Sequence, residues 1–170
     1  MPLDRLYAGW RRRYVELASA GAHDDDAAEC LFCDLADGPV DASTGVVALA
    51  ELTFVVLNAF PYGSGHVLVL PRRHVATIGA LSEAESAALW AATTRSIQAI
   101  EAAYHPDGAN LGANLGRAGG AGIPGHLHLH VLPRWGGDTN FMTAIAETRV
   151  LPEDLDDTFH KLRDAFAALG

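Results

Sequence analysis

Three histidines stand at alternate positions in the run His126-Leu127-His128-Leu129-His130. On a β-strand successive side chains point to opposite faces, so the three imidazoles share one surface while Leu127, Leu129 and Val131 turn toward a core. Neighbours on that surface lie about 6.5–7 Å apart and the outer two about 13 Å apart. Zn–N bonds are about 2 Å, so one metal ion cannot take all three rings. The spacing suits a division of labour instead: an outer ligand or brace, a central reactive imidazole, and a second histidine that binds phosphate. Neutral imidazole is nucleophilic near pH 7, and a phosphorylated ring nitrogen leaves readily in a second displacement. The plainer alternative is that the three histidines decorate a polar face. Beside them, Gly116, Gly119, Gly120, Gly122 and Gly125 form a glycine-rich loop over 116–125, where backbone N–H groups can approach an anion closely.

A second chemistry-bearing group is Cys30-Leu31-Phe32-Cys33. In a reducing compartment this spacing reads as half a metal site or a redox pair rather than a structural disulfide. Two thiolates and two histidines would complete a closed tetrahedral zinc site; two ordinary buried thiols are the alternative.

These residues must be positioned by short elements. Leu6, Trp10, Tyr14 and Leu17 recur at helical spacing and predict an N-terminal helix over 3–18, followed by an acidic, solvated loop over 23–28. Strands are expected at 46–49, 53–57 and 67–70, the last two flanking the turn-rich Asn58-Ala59-Phe60-Pro61-Tyr62-Gly63-Ser64-Gly65. Ser82 and Glu85 make a capping box that opens a long helix to Tyr104, with Leu89, Ile97 and Ile100 as apolar positions. Further strands are expected over 110–115 and 126–132, the second ended by Pro133. A closing helix is expected over 152–169, with Pro152 in its first turn. Hairpin-like strands around one long helix predict an α+β fold with an antiparallel sheet.

The chain has 170 residues, 49% hydrophobic and 19% charged, enough for one domain over 1–170 with a core of about 28–142. A net charge of −9 argues against wrapping nucleic acid but not against a small polyanion held in a local pocket. No apolar stretch is long enough to span a bilayer, and Met1-Pro2-Leu3-Asp4-Arg5 is not a secretory signal. A cytoplasmic protein without a membrane partner is therefore expected.

The run from His126 to Pro133 resembles the histidine-triad (HIT) family, and the likeness extends along nearly the whole chain. Gly65-His66-Val67-Leu68-Val69-Leu70-Pro71-Arg72-Arg73-His74 looks like the upstream strand of that family, and the cysteine pair resembles its metal-containing members. The segment from Pro133 to Met142 and the stretch from Trp10 to Tyr14 are similar to a bacterial branch near diadenosine tetraphosphate phosphorylases and hydrolases. The resemblance implies a HIT-like sheet of about five strands with one long helix and additional terminal helices. It further implies that His128 attacks an α-phosphate to form a nucleotidyl-histidine, which water or inorganic phosphate then resolves. His130 would hydrogen-bond the phosphate oxygens, and His66 would either join the same site or brace the loop before its strand. Asn58 matches a ribose contact and Asn114 a phosphate contact, although backbone capping is the commoner use of such asparagines. Trp135 offers its ring either to a base or the second nucleoside of the substrate, or to the edge of the core.

By the same resemblance Cys30, Cys33, His74 and His126 form a structural Zn²⁺ site; no organic cofactor is expected. Many relatives carry Ser or Gln where this chain has Gly122 and Ile123, so backbone N–H groups of Gly120 to Gly122 are the substitutes at hand. The expected activity is cleavage of dinucleoside polyphosphates such as diadenosine tetraphosphate. The alternatives are a nucleoside phosphoramidate hydrolase, a nucleotide-binding regulatory protein with incidental turnover, and a zinc-stabilised interaction module. The resemblance also implies a homodimer joined through the long helix and an adjacent strand.

Overall fold

The computed structural model describes residues 30–139 and 151–170; the expected N-terminal helix and the acidic loop lie outside them. In chain order the elements are α1 (Leu31–Asp37), β1 (Val46–Leu49), β2 (Thr53–Leu57), β3 (Val67–Pro71), α2 (Glu83–Tyr104), β4 (Gly108–Gly112), β5 (Leu129–Arg134) and α3 (Leu155–Ala168). The strands form one antiparallel sheet in the order β1-β2-β3-β5-β4, the α+β architecture expected.

Both faces of the central strands are buried, and alternation sorts their side chains. Val55, Leu57, Val67, Val69, Leu127 and Val131 pack with Leu89 and Ile100 of α2 and Phe159, Leu162 and Phe166 of α3. Phe54, Val56, Leu68 and Leu70 face the other way, toward Cys30, Phe32 and Ala36. The histidines lie on this second face, under α1.

The capping box forms as predicted. Ser82 Oγ accepts from Glu85 N–H, while Glu85 Oε2 accepts from Ser82 N–H at 2.8 Å. The same carboxylate binds Arg73 through Nε at 2.6 Å and Nη2 at 2.7 Å. Those bonds hold the Glu85 carboxyl down at a pKa of about 2 and tie the start of α2 to the end of β3.

Several boundaries differ from expectation. β5 begins at Leu129 rather than His126: the His126 ring bonds to Pro71 O at the end of β3, and Leu127 bonds to the chain after β3. Leu127 N–H donates to Val75 O at 2.7 Å. Pro133 does not end β5, which continues to Arg134. Beyond Val131 the strand pairs with β4 alone, and proline is tolerated at such an edge. β4 begins at Gly108, earlier than expected: His105 ends α2 in the left-handed region at φ 46°, and the chain turns directly into pairing with Arg134. Pro152 precedes α3; Asp154 caps that helix, accepting from Asp157 N–H at 2.9 Å. Helix α1 is an element that the cysteine spacing alone did not reveal.

Candidate active site and metal centre

The cysteine pair owes its geometry to α1. Cys30 is the N-cap and Cys33 lies in the first turn, its N–H bonded to Cys30 O at 3.0 Å, so both thiols emerge on one side. His126 meets them from the sheet face beneath α1. Its Nδ1 lies 3.4 Å from Cys30 Sγ and 3.7 Å from Cys33 Sγ, and His74 Nδ1 lies 3.4 Å from Cys33 Sγ. All four candidate ligand atoms fall within 4.8 Å of one another. Tetrahedral zinc with Zn–S of 2.3 Å and Zn–N of 2.0–2.1 Å requires sulfur–nitrogen edges of about 3.6 Å, so the cluster fits the ion. His126 Nε2–H donates to Pro71 O at 2.9 Å, which leaves Nδ1 deprotonated and facing the thiols. Burial and the neighbouring Cys30 push the Cys33 thiol up to about 11, a sign that a bound divalent cation reverses.

Two residues beyond His126, the ring of His128 is oriented by the backbone. Its Nδ1–H donates to His126 O at 2.8 Å, so Nε2 carries the lone pair. Burial lowers the pKa of this ring and favours its neutral, nucleophilic form. Phe32 of α1 packs on both neighbours, 5.6 Å from the His126 ring and 5.4 Å from that of His128.

A chain of hydrogen bonds likewise sets the protons of His130. Tyr62 N–H donates to His66 Nδ1 at 3.0 Å, so the proton of neutral His66 sits on Nε2. That Nε2–H donates to His130 Nδ1 at 3.0 Å, which places the His130 proton on its own Nε2. His130 Nε2 is buried and has no partner among the described residues. Burial holds the pKa of His130 down to about 4, with the neighbouring His128 a smaller cause. The result is a lone pair on His128 beside an N–H donor on His130, with ring centroids 5.2 Å apart.

Of the other residues singled out in the sequence, Asn58 is tied to the β2–β3 loop. Its Oδ1 accepts from Phe60 N–H at 3.0 Å, and its Nδ2 lies 3.4 Å from His66 Nδ1. Asn114 donates to Gly120 O at 3.4 Å and anchors the glycine loop. The N–H groups of Gly120 and Ala121 are spent on Arg117 O and Gly116 O within that loop, so they are not the free donors anticipated. A 3₁₀ turn at Arg117–Gly119 consumes them; Gly122 lies beyond it. Trp135 packs edge-on against Tyr104, with ring centroids 6.2 Å apart. Sequence reasoning missed Phe32, Tyr62 and the carbonyl of Pro71, which orient the histidines. Phe32 and Ala36 stand one helical turn apart within and just after the C-x-x-C, a signal that could have exposed α1.

The pattern described as HIT domain matches residues 41–137, which hold the three alternating histidines, His66 and His74. The chain belongs to the HIT family. An AP-4-A phosphorylase from Mycobacterium tuberculosis is 44% identical over 122 residues, 72% of this chain. That match covers 63% of the phosphorylase, so the chain spans less than two thirds of its length. A bis(5'-adenosyl)-triphosphatase from Dictyostelium discoideum is 33% identical over 84 residues, 49% of this chain and 56% of its own length. A Zn-bound histidine triad family protein from Mycobacterium smegmatis superposes with a TM-score of 0.67 at 27% identity, over 85% of this chain and 97% of its own. Among the described residues of this HIT-family chain, no helix is long and apolar enough to cross a membrane.

Proposed function

We propose that the protein is a nucleotidyl-transferring enzyme that cleaves dinucleoside polyphosphates through His128, with inorganic phosphate as acceptor. The observation that carries this reading is the paired tautomer geometry: a lone pair on His128 Nε2 beside a buried, unpartnered N–H on His130. His128 Nε2 attacks the α-phosphorus, forming an N–P bond as the bridging P–O bond to the nucleoside polyphosphate breaks. His130 Nε2–H donates to a non-bridging oxygen, where charge accumulates in the transition state. Phosphate then attacks the nucleotidyl-histidine, the N–P bond breaks, and neutral His128 is restored. The choice of phosphate over water rests on the 44% identity to the M. tuberculosis phosphorylase.

Cys30, Cys33, His74 and His126 would hold Zn²⁺, whose contribution is structural: it cross-links α1 to the segment carrying His128. Dimerisation belongs to the same reading, because β4 is an edge strand with every residue exposed and Trp90 of α2 is 60% exposed.

The test is incubation with diadenosine tetraphosphate, with and without phosphate, followed by separation of the nucleotides. ADP plus ATP that appear only with phosphate are expected. AMP plus ATP, or two ADP, would make water the acceptor. No turnover, with His128→Ala indistinguishable from the unaltered protein, would overturn the enzymatic reading.

A further inference from the structure

Cys30 and Cys33 are the only cysteines in the chain, and both are free thiols. They stand three residues apart at the start of α1, with their sulfurs no more than 4.8 Å from each other. Side chains three apart on a helix have Cβ atoms about 5–6 Å apart, whereas a disulfide needs about 3.5–4.5 Å. A contraction of about 1–2 Å in the first turn of α1 therefore suffices to join them. Their accessibility differs: Cys30 is fully buried, while Cys33 is partly open to solvent. An oxidant in solution meets Cys33 first, with Cys30 behind it to complete the bond. Thiolates held by a divalent cation stay deprotonated at neutral pH and keep their nucleophilic form.

The reactive imidazole depends on the same few groups. Helix α1 has seven residues, too few to persist alone, and it docks through Phe32 and Ala36 as well as through its thiols. Phe32 stands between the two cysteines in the chain and packs on the rings of both His126 and His128. His126 faces the thiols with Nδ1, while its carbonyl accepts the His128 Nδ1–H. Contraction of the first turn displaces Phe32, and loss of the metal removes one of the two anchors of the His126 ring, leaving Pro71 O.

We propose that Cys30 and Cys33 form an oxidation site: hydrogen peroxide converts the pair to a disulfide, releases Zn²⁺ and lowers turnover at His128. The inference rests on the metal site and the activity proposed above. The Cys33 thiolate attacks one peroxide oxygen; an S–O bond forms as the O–O bond breaks and hydroxide leaves. The Cys30 thiolate then attacks the Cys33 sulfur, so that the S–S bond forms and the S–O bond breaks with loss of a second hydroxide. Two electrons pass from the sulfurs to the peroxide, and two protons from solvent convert the hydroxides to water. A disulfide has no thiolate charge with which to bind a cation, so two of the four ligands are lost together.

The experiment treats the reduced, zinc-loaded protein with hydrogen peroxide and follows three quantities. These are zinc released to a colorimetric chelator, the intact mass of the chain, and turnover of diadenosine tetraphosphate with phosphate. About one equivalent of zinc should appear, as a closed four-ligand site loses two thiolates. The chain should become lighter by two hydrogens, and kcat should fall by up to about 10²-fold, the cost of a misplacement near 1 Å. The three changes should share one time course, and dithiothreitol with Zn²⁺ should reverse them all. Zinc retained beside unaltered thiols overturns the proposal, as does a disulfide that leaves kcat unchanged. A gain of oxygen without loss of the two hydrogens overturns it too. So does loss of the melting transition, which would make the effect general unfolding rather than release of α1. A reduced protein that binds no zinc removes the ligand assignment and the oxidation site with it. Zinc-loaded protein without turnover is the distinct result that removes the proposed function, and the control over it as well.

Discussion

His66→Leu separates a phosphate-binding histidine that is merely present from one whose proton is held in place. In the structure His66 receives Tyr62 N–H and donates to His130 Nδ1, each at 3.0 Å. Leucine fills similar space and can do neither. His130 Nδ1 then has no donor, and the ring is free to carry its proton there instead of on Nε2. A neutral hydrogen bond contributes about 0.5–1.5 kcal/mol net, so loss of the tautomer bias should lower kcat by roughly two- to tenfold. Complete loss of a transition-state donor costs about 10²–10³-fold, which sets the upper bound. Because the donor acts mainly on charge that develops during reaction, KM should change much less than kcat. Tyr62 N–H also loses its acceptor, which should cost about 1–3 kcal/mol of stability if it stays buried. The assay is steady-state turnover of diadenosine tetraphosphate with phosphate, alongside urea unfolding of the same preparations. An unchanged kcat in a folded variant, or a rise in KM alone, would refute the tautomer argument.

Three other expectations concern the frame around the site. Gly65 has φ +75°, and a Cβ there would meet Tyr104 Cε2 at 3.0 Å and Pro133 Cγ at 3.1 Å. Gly65→Ala should therefore lose about 2–4 kcal/mol, from left-handed strain plus overpacking, and chemical denaturation will show whether it does. Cys33→Ser should release about one equivalent of zinc on metal analysis, as expected when a closed four-ligand site loses a thiolate; unchanged zinc would refute the ligand assignment. Stability should also fall on mild acidification. Burial holds His130 at about 4 against an ordinary 6.5, so between those values the unfolded chain binds the extra proton. The contribution is fully present above pH 6.5 and is lost as pH falls toward 4; it is at most about 3 kcal/mol, and less once solvent screening of the half-buried ring is counted. Urea midpoints at pH 7.5 and 5 test this, and equal midpoints would contradict it.

The local periodicities sufficed to locate much of this protein. Strict alternation at 126–130 put the histidines on one face and Leu127, Leu129 and Val131 on the other. Ser82 and Glu85 marked the start of α2, because a capping box is satisfied within four residues and needs no distant partner. The cysteines, His74 and His126 could be grouped only through the family resemblance. Between 41 and 96 residues separate the ligands that approach one another, and no local rule spans such intervals. The tertiary structure brings them together by hanging α1 over the second sheet face and by diverting His126 and Leu127 onto Pro71 and Val75. That diversion accompanies the late start of β5: the carbonyl of Pro71 holds the His126 ring, and the amide of Leu127 goes to Val75 O. The protons on His128 and His130 were likewise beyond the sequence. Each is set by the group that meets Nδ1, namely the carbonyl of His126 and, through His66, the amide of Tyr62. Residue type supplied an imidazole that can attack or donate; only folding decided which nitrogen of each ring does so.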